Sequence, residues 1–295
     1  MGLDVAFAPP LDLVASFAPM GRSGDDLVDR FDRTRALRTL KLGHADNLVA
    51  YAAEVTGPSD SPSLAISFGT NHADRAAEIG RAVEATLLTD RSALTELAAA
   101  DESVAQLARR YPGIVPLLYR DPFAALIRSI SAQQVNLRWA ATVRARLAQR
   151  YGTRHLVGGW DVWSLHPEPL AAARLEDLRA LQLTTAKSLS VIDVARAAQA
   201  GELRLSELDA LNDDQLIAHL TCLRGIGRWS AEWFLARTLG RPRVVAGDLG
   251  VRKAIGRLYR TPTMPSELEV RGLTAAWGAA ATHAQALALH DLAQP

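Results

Sequence analysis

Residues 223–231 read Leu-Arg-Gly-Ile-Gly-Arg-Trp-Ser-Ala, with two glycines around one β-branched residue and a new helix directly after them. Glycine allows positive φ and has no Cβ, so the backbone here can turn tightly and approach a flat or charged partner. The first amides of the second helix then point outward, where they can bind a phosphate oxygen. Such a contact holds a protein on DNA without reading bases. A plain corner between two helices explains the same residues, and a short glycine motif leaves both interpretations open.

Asp248 follows this hairpin, after the apolar residues Val244-Val245-Ala246 and at the start of the next helix. In that position we expect its carboxylate to cap the helix by accepting backbone N–H bonds. A catalytic role is compatible with capping. An ionised carboxylate can stabilise a sugar oxocarbenium ion and orient or deprotonate an attacking water.

The sequence pattern is helical from about Ala93 onward, on both sides of the hairpin. A helix is predicted to start at Asp121-Pro122, because aspartate is a good N-cap and proline fits the first helical position. The pattern breaks at residues 131–136, Ser-Ala-Gln-Gln-Val-Asn. Further helices are predicted over Leu137–Arg150, Leu175–Leu181, Ala186–Ala200, Asp213–Cys222, Arg228–Thr238, Leu249–Tyr259 and Leu273–Leu292.

The first hundred residues have a different pattern. Ala36–Leu42, Asn47–Val55 and Ser63–Phe68 predict two or three antiparallel strands, separated by turn residues at Gly43-His44-Ala45-Asp46 and at 57–62. A helix is predicted from about Ala73 to Leu88. The chain should therefore have an α+β N-terminal domain followed by a mainly α-helical region.

Composition excludes several classes of protein. Cys222 is the single cysteine among 295 residues, so a disulfide framework, a four-thiolate zinc site and a cysteine-ligated iron–sulfur cluster cannot form within the chain. The lone cysteine fits a reducing cytoplasm, and no apolar run reaches the length of a membrane span. A net charge of +1 disfavours a protein that coats nucleic acid nonspecifically.

The hairpin Leu-x-Gly-Ile-Gly-x-x-Ser-Ala, followed by an apolar loop and Asp-x-x-Val, resembles the helix–hairpin–helix (HhH-GPD) DNA glycosylase superfamily. Within it the chain looks most like the AlkA-type 3-methyladenine DNA glycosylases. The helix from Asp121 into Gln133-Gln134 and the α+β layout before it extend the likeness over nearly the whole chain. The resemblance implies a small α+β domain at 1–92 and an all-helical glycosylase region at 93–295, with two helical subdomains flanking the active-site cleft.

The resemblance also implies roles for individual residues. Asp248 matches the catalytic aspartate, and Trp229, Trp233 and Trp277 match aromatic positions of the base pocket. Gln134 matches the side chain that fills the gap left by an extruded base. The implied DNA contacts are Gln133, Gln134, Gly225, Ile226, Gly227, Arg228 and Ser230. The carbonyls of Thr221, Leu223 and Ile226 match the ligands of a monovalent cation, Na⁺ or K⁺; no other cofactor is expected.

One position predicts the reaction type. The lyase branch of the family carries a Schiff-base lysine two residues past the second hairpin glycine, and here that residue is Trp229. Without an amine nucleophile we expect hydrolysis by water. The expected enzyme is a monofunctional glycosylase of base excision repair that removes alkylated purines from damaged duplex DNA, acting as a monomer in the bacterial cytoplasm at the nucleoid.

Two other functions stay open. A non-catalytic lesion-binding protein would keep the hairpin and use Asp248 only as a cap. A glycosylase for deaminated or oxidised bases would share the whole constellation. The family commonly has proline and arginine soon after the tryptophan near its C-terminus, whereas Gly278 and a run of alanines follow Trp277 here. The base preference is therefore not given by the sequence.

Overall fold

The computed structural model describes residues 1–43 and 48–294. Its N-terminal part contains a five-stranded antiparallel sheet in the order β1-β5-β4-β3-β2. The strands are β1 (Gly2–Ala6), β2 (Arg30–Asp32), β3 (Arg35–Lys41), β4 (Leu48–Val55) and β5 (Ser63–Phe68). The three predicted strands are therefore confirmed, and two more flank them. Of the predicted turn between β3 and β4, residues 44–46 lie outside the described residues, as does Asn47.

One face of this sheet forms the core of the N-terminal part. In β5, Leu64, Ile66 and Phe68 are buried and alternate with partly exposed residues, as expected for a strand with one covered face. Two helices cover that face, α1 (Leu13–Gly21) and α2 (Ala76–Glu84). The helix predicted from Ala73 thus begins three residues later, after a short 3₁₀ segment.

The remaining helices form two further cores. They are α3 (Ser92–Ala100), α4 (Glu102–Arg110), α5 (Pro122–Ala132), α6 (Leu137–Tyr151), α7 (Pro167–Ala171), α8 (Leu175–Ala180), α9 (Thr185–Gln199), α10 (Leu205–Ala210), α11 (Asp213–Thr221), α12 (Arg228–Phe234), α13 (Leu249–Leu258), α14 (Glu267–Leu273) and α15 (Ala281–Leu292). The middle core packs α5, α6, α9, α11 and α12 together. The terminal core packs α3 and α4 against α13 and α15. An α+β domain followed by a mainly helical region is therefore confirmed.

Residues 152–165 depart from the expectation of helices alone beyond residue 93. They form a β-hairpin of β6 (Gly152–Val157) and β7 (Trp160–Leu165). Gly158 and Gly159 make the turn with φ of 57° and 81°, a conformation that glycine adopts without steric cost. Val157 and Val162 pack on Leu37 and Ala52 of the large sheet. The Gly-Gly pair between two short runs that contain β-branched and aromatic residues was the missed signal.

The single helix predicted over Leu273–Leu292 is also wrong. α14 ends at Leu273, a 3₁₀ segment covers Ala275–Ala280, and α15 follows. The break lies at Gly278, with φ 45° and ψ −127°, a conformation closed to residues with a Cβ. None of the helices in residues 1–43 and 48–294 is long and apolar enough to cross a membrane.

Candidate active site

The glycine hairpin is fastened to the middle core. Gly225 has φ 74°, and a Cβ built on it would lie 2.1 Å from the Ser190 hydroxyl of α9. Ile226 is 4% exposed and belongs to the middle core. Both the backbone conformation and the close approach of α9 therefore require glycine at 225. The turn between α11 and α12 is held in one shape before any partner arrives.

Gly227 is different. Its backbone is extended, with φ −96° and ψ −179°, which any residue adopts. It is exposed, and a Cβ built on it meets no atom of the described chain within 4 Å. Nothing in the fold explains glycine here. The space beside Gly227 opens outward at the start of α12, where backbone amides lack helical partners.

Asp248 lies between α12 and α13 and is held through both carboxylate oxygens. Oδ1 accepts from the Val251 amide at 3.0 Å and so caps α13. Oδ2 accepts from Trp229 Nε1 at 3.1 Å. Val245 and Ala246, which precede Asp248, are buried, and the Val245 amide donates to the Gln285 side chain at 2.7 Å. The half-buried carboxylate is thus fixed between the hairpin helix and the terminal core.

Trp233 lies one turn after Trp229 on α12. It packs against both the middle and the terminal core, while Trp229 packs against the terminal core. Trp233 also stacks on Tyr119, with ring centroids 5.7 Å apart and 26° between the planes. The two indoles and Asp248 therefore lie together where the two helical cores meet.

Trp277 lies inside the terminal core, against which Trp229 and Trp233 pack. It is 2% exposed, and its Nε1 donates to the Tyr259 hydroxyl at 2.9 Å inside the terminal core. Burial raises the pKa of the Tyr259 hydroxyl, and its bond to Asp101 raises it further. The Trp277 ring is thus packed within the terminal core, and its place in a base pocket stays a prediction from the resemblance.

The loop between α5 and α6 is tied to the hairpin. Gln133 Nε2 donates to the Gly225 carbonyl at 2.8 Å and to Ser230 Oγ at 3.3 Å. Ser230 is 1% exposed, and its hydroxyl lies 2.7 Å from that of Ser129 on α5. Gln133 and Ser230 therefore join two elements and do not stand free on the surface. Gln134, by contrast, is exposed and has φ 53°, an uncommon conformation for a residue with a side chain.

Lys187 is a contributor that the sequence did not reveal. From α9, its Nζ donates to the carbonyls of Ser131 at 3.1 Å and Gln133 at 2.6 Å. Partial burial lowers the pKa of the Lys187 ammonium. The ammonium thus holds the backbone directly before Gln134, through contacts distant in sequence.

Glu232 and Arg271 were also missed. Glu232 is 1% exposed on α12 and accepts from Arg271 of α14 at 2.8 Å. Arg228 lies one turn before Glu232 and donates to it at 3.0 Å, with its side chain 63% exposed. The buried carboxylate thus holds α12 against α14 and holds Arg228 at the exposed start of α12.

The predicted cation ligands lie in the hairpin turn. The Thr221 hydroxyl donates to the Ile217 carbonyl at 2.7 Å, and the Leu223 carbonyl accepts the Ile226 amide at 3.1 Å. The predicted ligand atoms, the main-chain carbonyl oxygens of Thr221, Leu223 and Ile226, are of the kind that suits a hard cation. Among residues 1–43 and 48–294, no group of three or more His, Cys, Asp or Glu could hold a metal ion.

Two surface cavities lie away from Asp248. One of about 230 Å³ lies between α1, β2 and Trp160. The other, of about 610 Å³, is lined by Arg110, Arg257, Arg260 and Asp291, at the opposite end of α13 from Asp248.

Comparison with known proteins identifies the family to which this site belongs. A family model described as "HhH-GPD superfamily base excision DNA repair protein" matches residues 127–279, more than half of the chain. A Bacillus subtilis protein named as a candidate DNA-3-methyladenine glycosylase is 26% identical over 259 residues, covering 85% of this chain and 86% of its own. The structure of an Archaeoglobus fulgidus 3-methyladenine DNA glycosylase superposes with a TM-score of 0.83 at 22% identity, covering 98% of each chain.

A Clostridium acetobutylicum 8-oxoguanine glycosylase/lyase, solved with double-stranded DNA, has a TM-score of 0.71 at 16% identity. The superposition covers 96% of this chain and 92% of the Clostridium acetobutylicum chain. Because both structural likenesses are below 25% identity, they show a shared fold. The fold accommodates enzymes that differ in the base they remove, so base preference must be argued from the site.

Proposed function

The chain belongs to the HhH-GPD superfamily of base excision DNA repair proteins and is a DNA glycosylase, and on this premise we propose that it removes alkylated purines from duplex DNA by hydrolysis alone. Its product would be an abasic site and a free base. We place it as a monomer in the bacterial cytoplasm, at the nucleoid. The observation that carries the proposal is the contact between Trp229 and the Asp248 carboxylate, which joins a pocket wall to an acidic group.

The positions of the lysines favour hydrolysis over lyase chemistry. Lys41 lies on β3 and pairs with Asp121, the capping residue of α5, at 3.1 Å. Lys187 is engaged by two loop carbonyls. Lys253 is exposed on α13, more than one helical turn past Asp248. With Trp229 at the family's lysine position, water is the nucleophile that the site favours.

The hairpin and the α5–α6 loop would prepare the DNA. The amides around Gly227 bind a backbone phosphate, and the carbonyls of Thr221, Leu223 and Ile226 would hold a Na⁺ or K⁺ ion, which supplies positive charge beside that phosphate. Gln134 enters the duplex and fills the space of the extruded nucleotide. Extrusion costs a few kcal/mol, least for a damaged base.

The extruded base then lies against Trp229 and Trp233. An electron-rich indole attracts a cationic alkylated purine through its π face. As the N-glycosidic bond breaks, its electron pair leaves with the base, which departs neutral, and positive charge develops on the sugar. Asp248 stabilises that charge and accepts a proton from the water that attacks C1′. A base that is already cationic needs no general acid to leave.

Base release from methylated duplex DNA by the wild type and by Asp248→Asn tests the proposal. Asparagine retains one oxygen, which can still accept the Val251 amide, but it loses the charge and the oxygen that Trp229 donates to. Trp229→Phe is the matched control, because it removes the same hydrogen bond and leaves the carboxylate. We expect Asp248→Asn to abolish release while retaining DNA binding, and Trp229→Phe to reduce release only in part.

The set of bases released separates the alternatives. We expect release of 3-methyladenine and 7-methylguanine. Release of hypoxanthine or 8-oxoguanine alone would overturn the alkylpurine preference and leave a glycosylase of other specificity. Strand cleavage together with a covalent protein–DNA complex, formed when borohydride reduces a Schiff base, would overturn hydrolysis without lyase activity. If no base is released while damaged duplex is still bound, the chain is a lesion-binding protein.

A further inference from the structure

A buried network of charged side chains joins the N-terminal sheet to the helices that carry the site. We call Asp26, Asp29, Arg38, Arg128 and Arg144 the charge network. Asp29 accepts from Arg38 of β3 and from Arg128 of α5. Asp26 accepts from Arg128 at 2.7 Å and from Arg144 of α6 at 2.9 Å. Asp26 is 1% and Arg38 4% exposed, so neither can move without leaving a charge buried and unpaired.

Tyr119, three residues before the start of α5, lies on this network. The guanidinium carbons of Arg128, Arg38 and Arg237 lie 4.5, 5.3 and 5.8 Å from the centre of its ring. Its amide donates to the Arg237 carbonyl at 2.8 Å, and Arg38 Nη2 donates to the carbonyl of the preceding residue, Leu118, at 3.0 Å. The ring is 8% exposed. Its position is fixed from both its backbone and its faces.

The Tyr119 ring in turn stacks on Trp233. We propose that Tyr119 is a positioning residue for the base pocket, because it orients the Trp233 indole and connects it to the charge network. Residues of the N-terminal part of the chain would then fix the orientation of one wall of the pocket. This inference rests on the proposed function of Trp233. An aromatic stack supplies orientation beyond burial, since offset rings attract through their quadrupoles. Cations around the tyrosine strengthen its attachment to the network.

Packing alone would not need this arrangement. An aliphatic side chain of similar size would fill the space behind Trp233 and bury as much apolar surface. Three arginines around one tyrosine, joined to two aspartates and a further arginine, are costly to bury. The arginines around Tyr119 are explained if the Tyr119 ring must keep one orientation against Trp233. Tyr119→Leu removes the ring and keeps an apolar side chain, whereas Tyr119→Phe keeps the ring and serves as the conservative control.

Single-turnover base release tests the inference. We expect Tyr119→Leu to lower the release rate at saturating enzyme by about tenfold or more, because small misplacements in a site are costly. Affinity for undamaged duplex, which the hairpin supplies, should stay within about twofold, and Tyr119→Phe should stay near the wild-type rate. Combined with Trp233→Leu, Tyr119→Leu should add nothing, since both act through one contact. Additive losses, or a folded Tyr119→Leu protein with wild-type release, would overturn the inference.

A second measurement does not depend on activity. Protein labelled with 5-fluorotryptophan gives a fluorine resonance for each of its six tryptophans, and Trp233→Phe identifies the one from Trp233. We expect Tyr119→Leu to shift this resonance more than the other five. If Tyr119→Leu does not fold, Asp29→Asn keeps the ring, weakens the network and should shift the same resonance. An unmoved Trp233 resonance refutes the coupling, whereas a wild type that releases no base refutes only the proposed function.

Discussion

Replacing each hairpin glycine by alanine should separate the requirements of the fold from those of DNA. Gly225→Ala places a Cβ 2.1 Å from the Ser190 hydroxyl and 2.9 Å from its Cβ, on a backbone with φ 74°. The left-handed backbone costs about 1–2 kcal/mol and the forced contact about 1–3 kcal/mol. The free energy of unfolding should therefore fall by about 2–5 kcal/mol. Ser190→Gly in the same chain should recover part of that loss.

Gly227→Ala should behave in the opposite way. Its backbone is extended and the new Cβ meets nothing, so stability should stay unchanged or rise by about 0.4–1 kcal/mol as the unfolded chain loses freedom. Affinity for duplex DNA should fall about 10- to 100-fold, because a methyl group displaces a phosphate from amides whose charge-assisted bonds contribute about 1.5–3 kcal/mol.

Urea unfolding and fluorescence anisotropy with a labelled duplex measure the two quantities on the same samples. Anisotropy should be recorded at fixed salt, because phosphate contacts make affinity salt-dependent. A Gly227→Ala protein that binds duplex as well as the wild type would refute the assignment of Gly227 to a phosphate contact. A Gly225→Ala protein of wild-type stability would refute the packing argument.

Three further predictions concern the surrounding contacts. Gln134→Gly should relieve the left-handed backbone at φ 53° and stabilise the protein by at most about 1 kcal/mol. It should nevertheless slow base release as much as Gln134→Ala does. Equal stabilities of Gln134→Gly and the wild type would contradict the backbone strain. Lys187→Met should speed hydrogen exchange of the amides in residues 131–134 and slow base release severalfold, with Lys253→Met as an exposed control. The pKa of Asp29 is lowered to about 2, because the attraction of Arg38 and Arg128 outweighs the effect of burial. The ionised Asp29 therefore stabilises the fold by about 2 kcal/mol above about pH 5, and this stabilisation is lost as the pH falls from 4 to 2. Urea unfolding should show that the stability of Asp29→Asn depends less on pH over that range.

The parts of the fold that sequence predicts are those set by local chemistry. Asp121 caps α5 by accepting two backbone amides, and Asn136 caps α6 by accepting the Trp139 amide, so both helices start directly after their capping residues. Asp248 caps α13 for the same reason. These signals lie within four residues of the structure they specify, and one sequence is enough to find them.

The contacts that escaped prediction bring together distant residues. The charge network draws on β3, α5 and α6 and on the loop before β2, and no local pattern marks Asp26 or Asp29 as buried. The segment around Gly278 shows how a single residue can also break a predicted element. The pattern predicts one continuous helix over Leu273–Leu292, but Gly278 has φ 45° and ψ −127° and interrupts it next to the buried Trp277.

The tether from Lys187 also bears on how lesions are located. A repair enzyme meets far more intact base pairs than damaged ones, so each encounter must be brief. A probe that became ordered only on contact would lose conformational entropy at every encounter. Since Lys187 and Gln133 hold the Gln134 backbone in place without DNA, the probing side chain is ready at each step. We therefore expect scanning along undamaged duplex to be limited by diffusion, and commitment to be decided by how readily the inspected nucleotide leaves its stack.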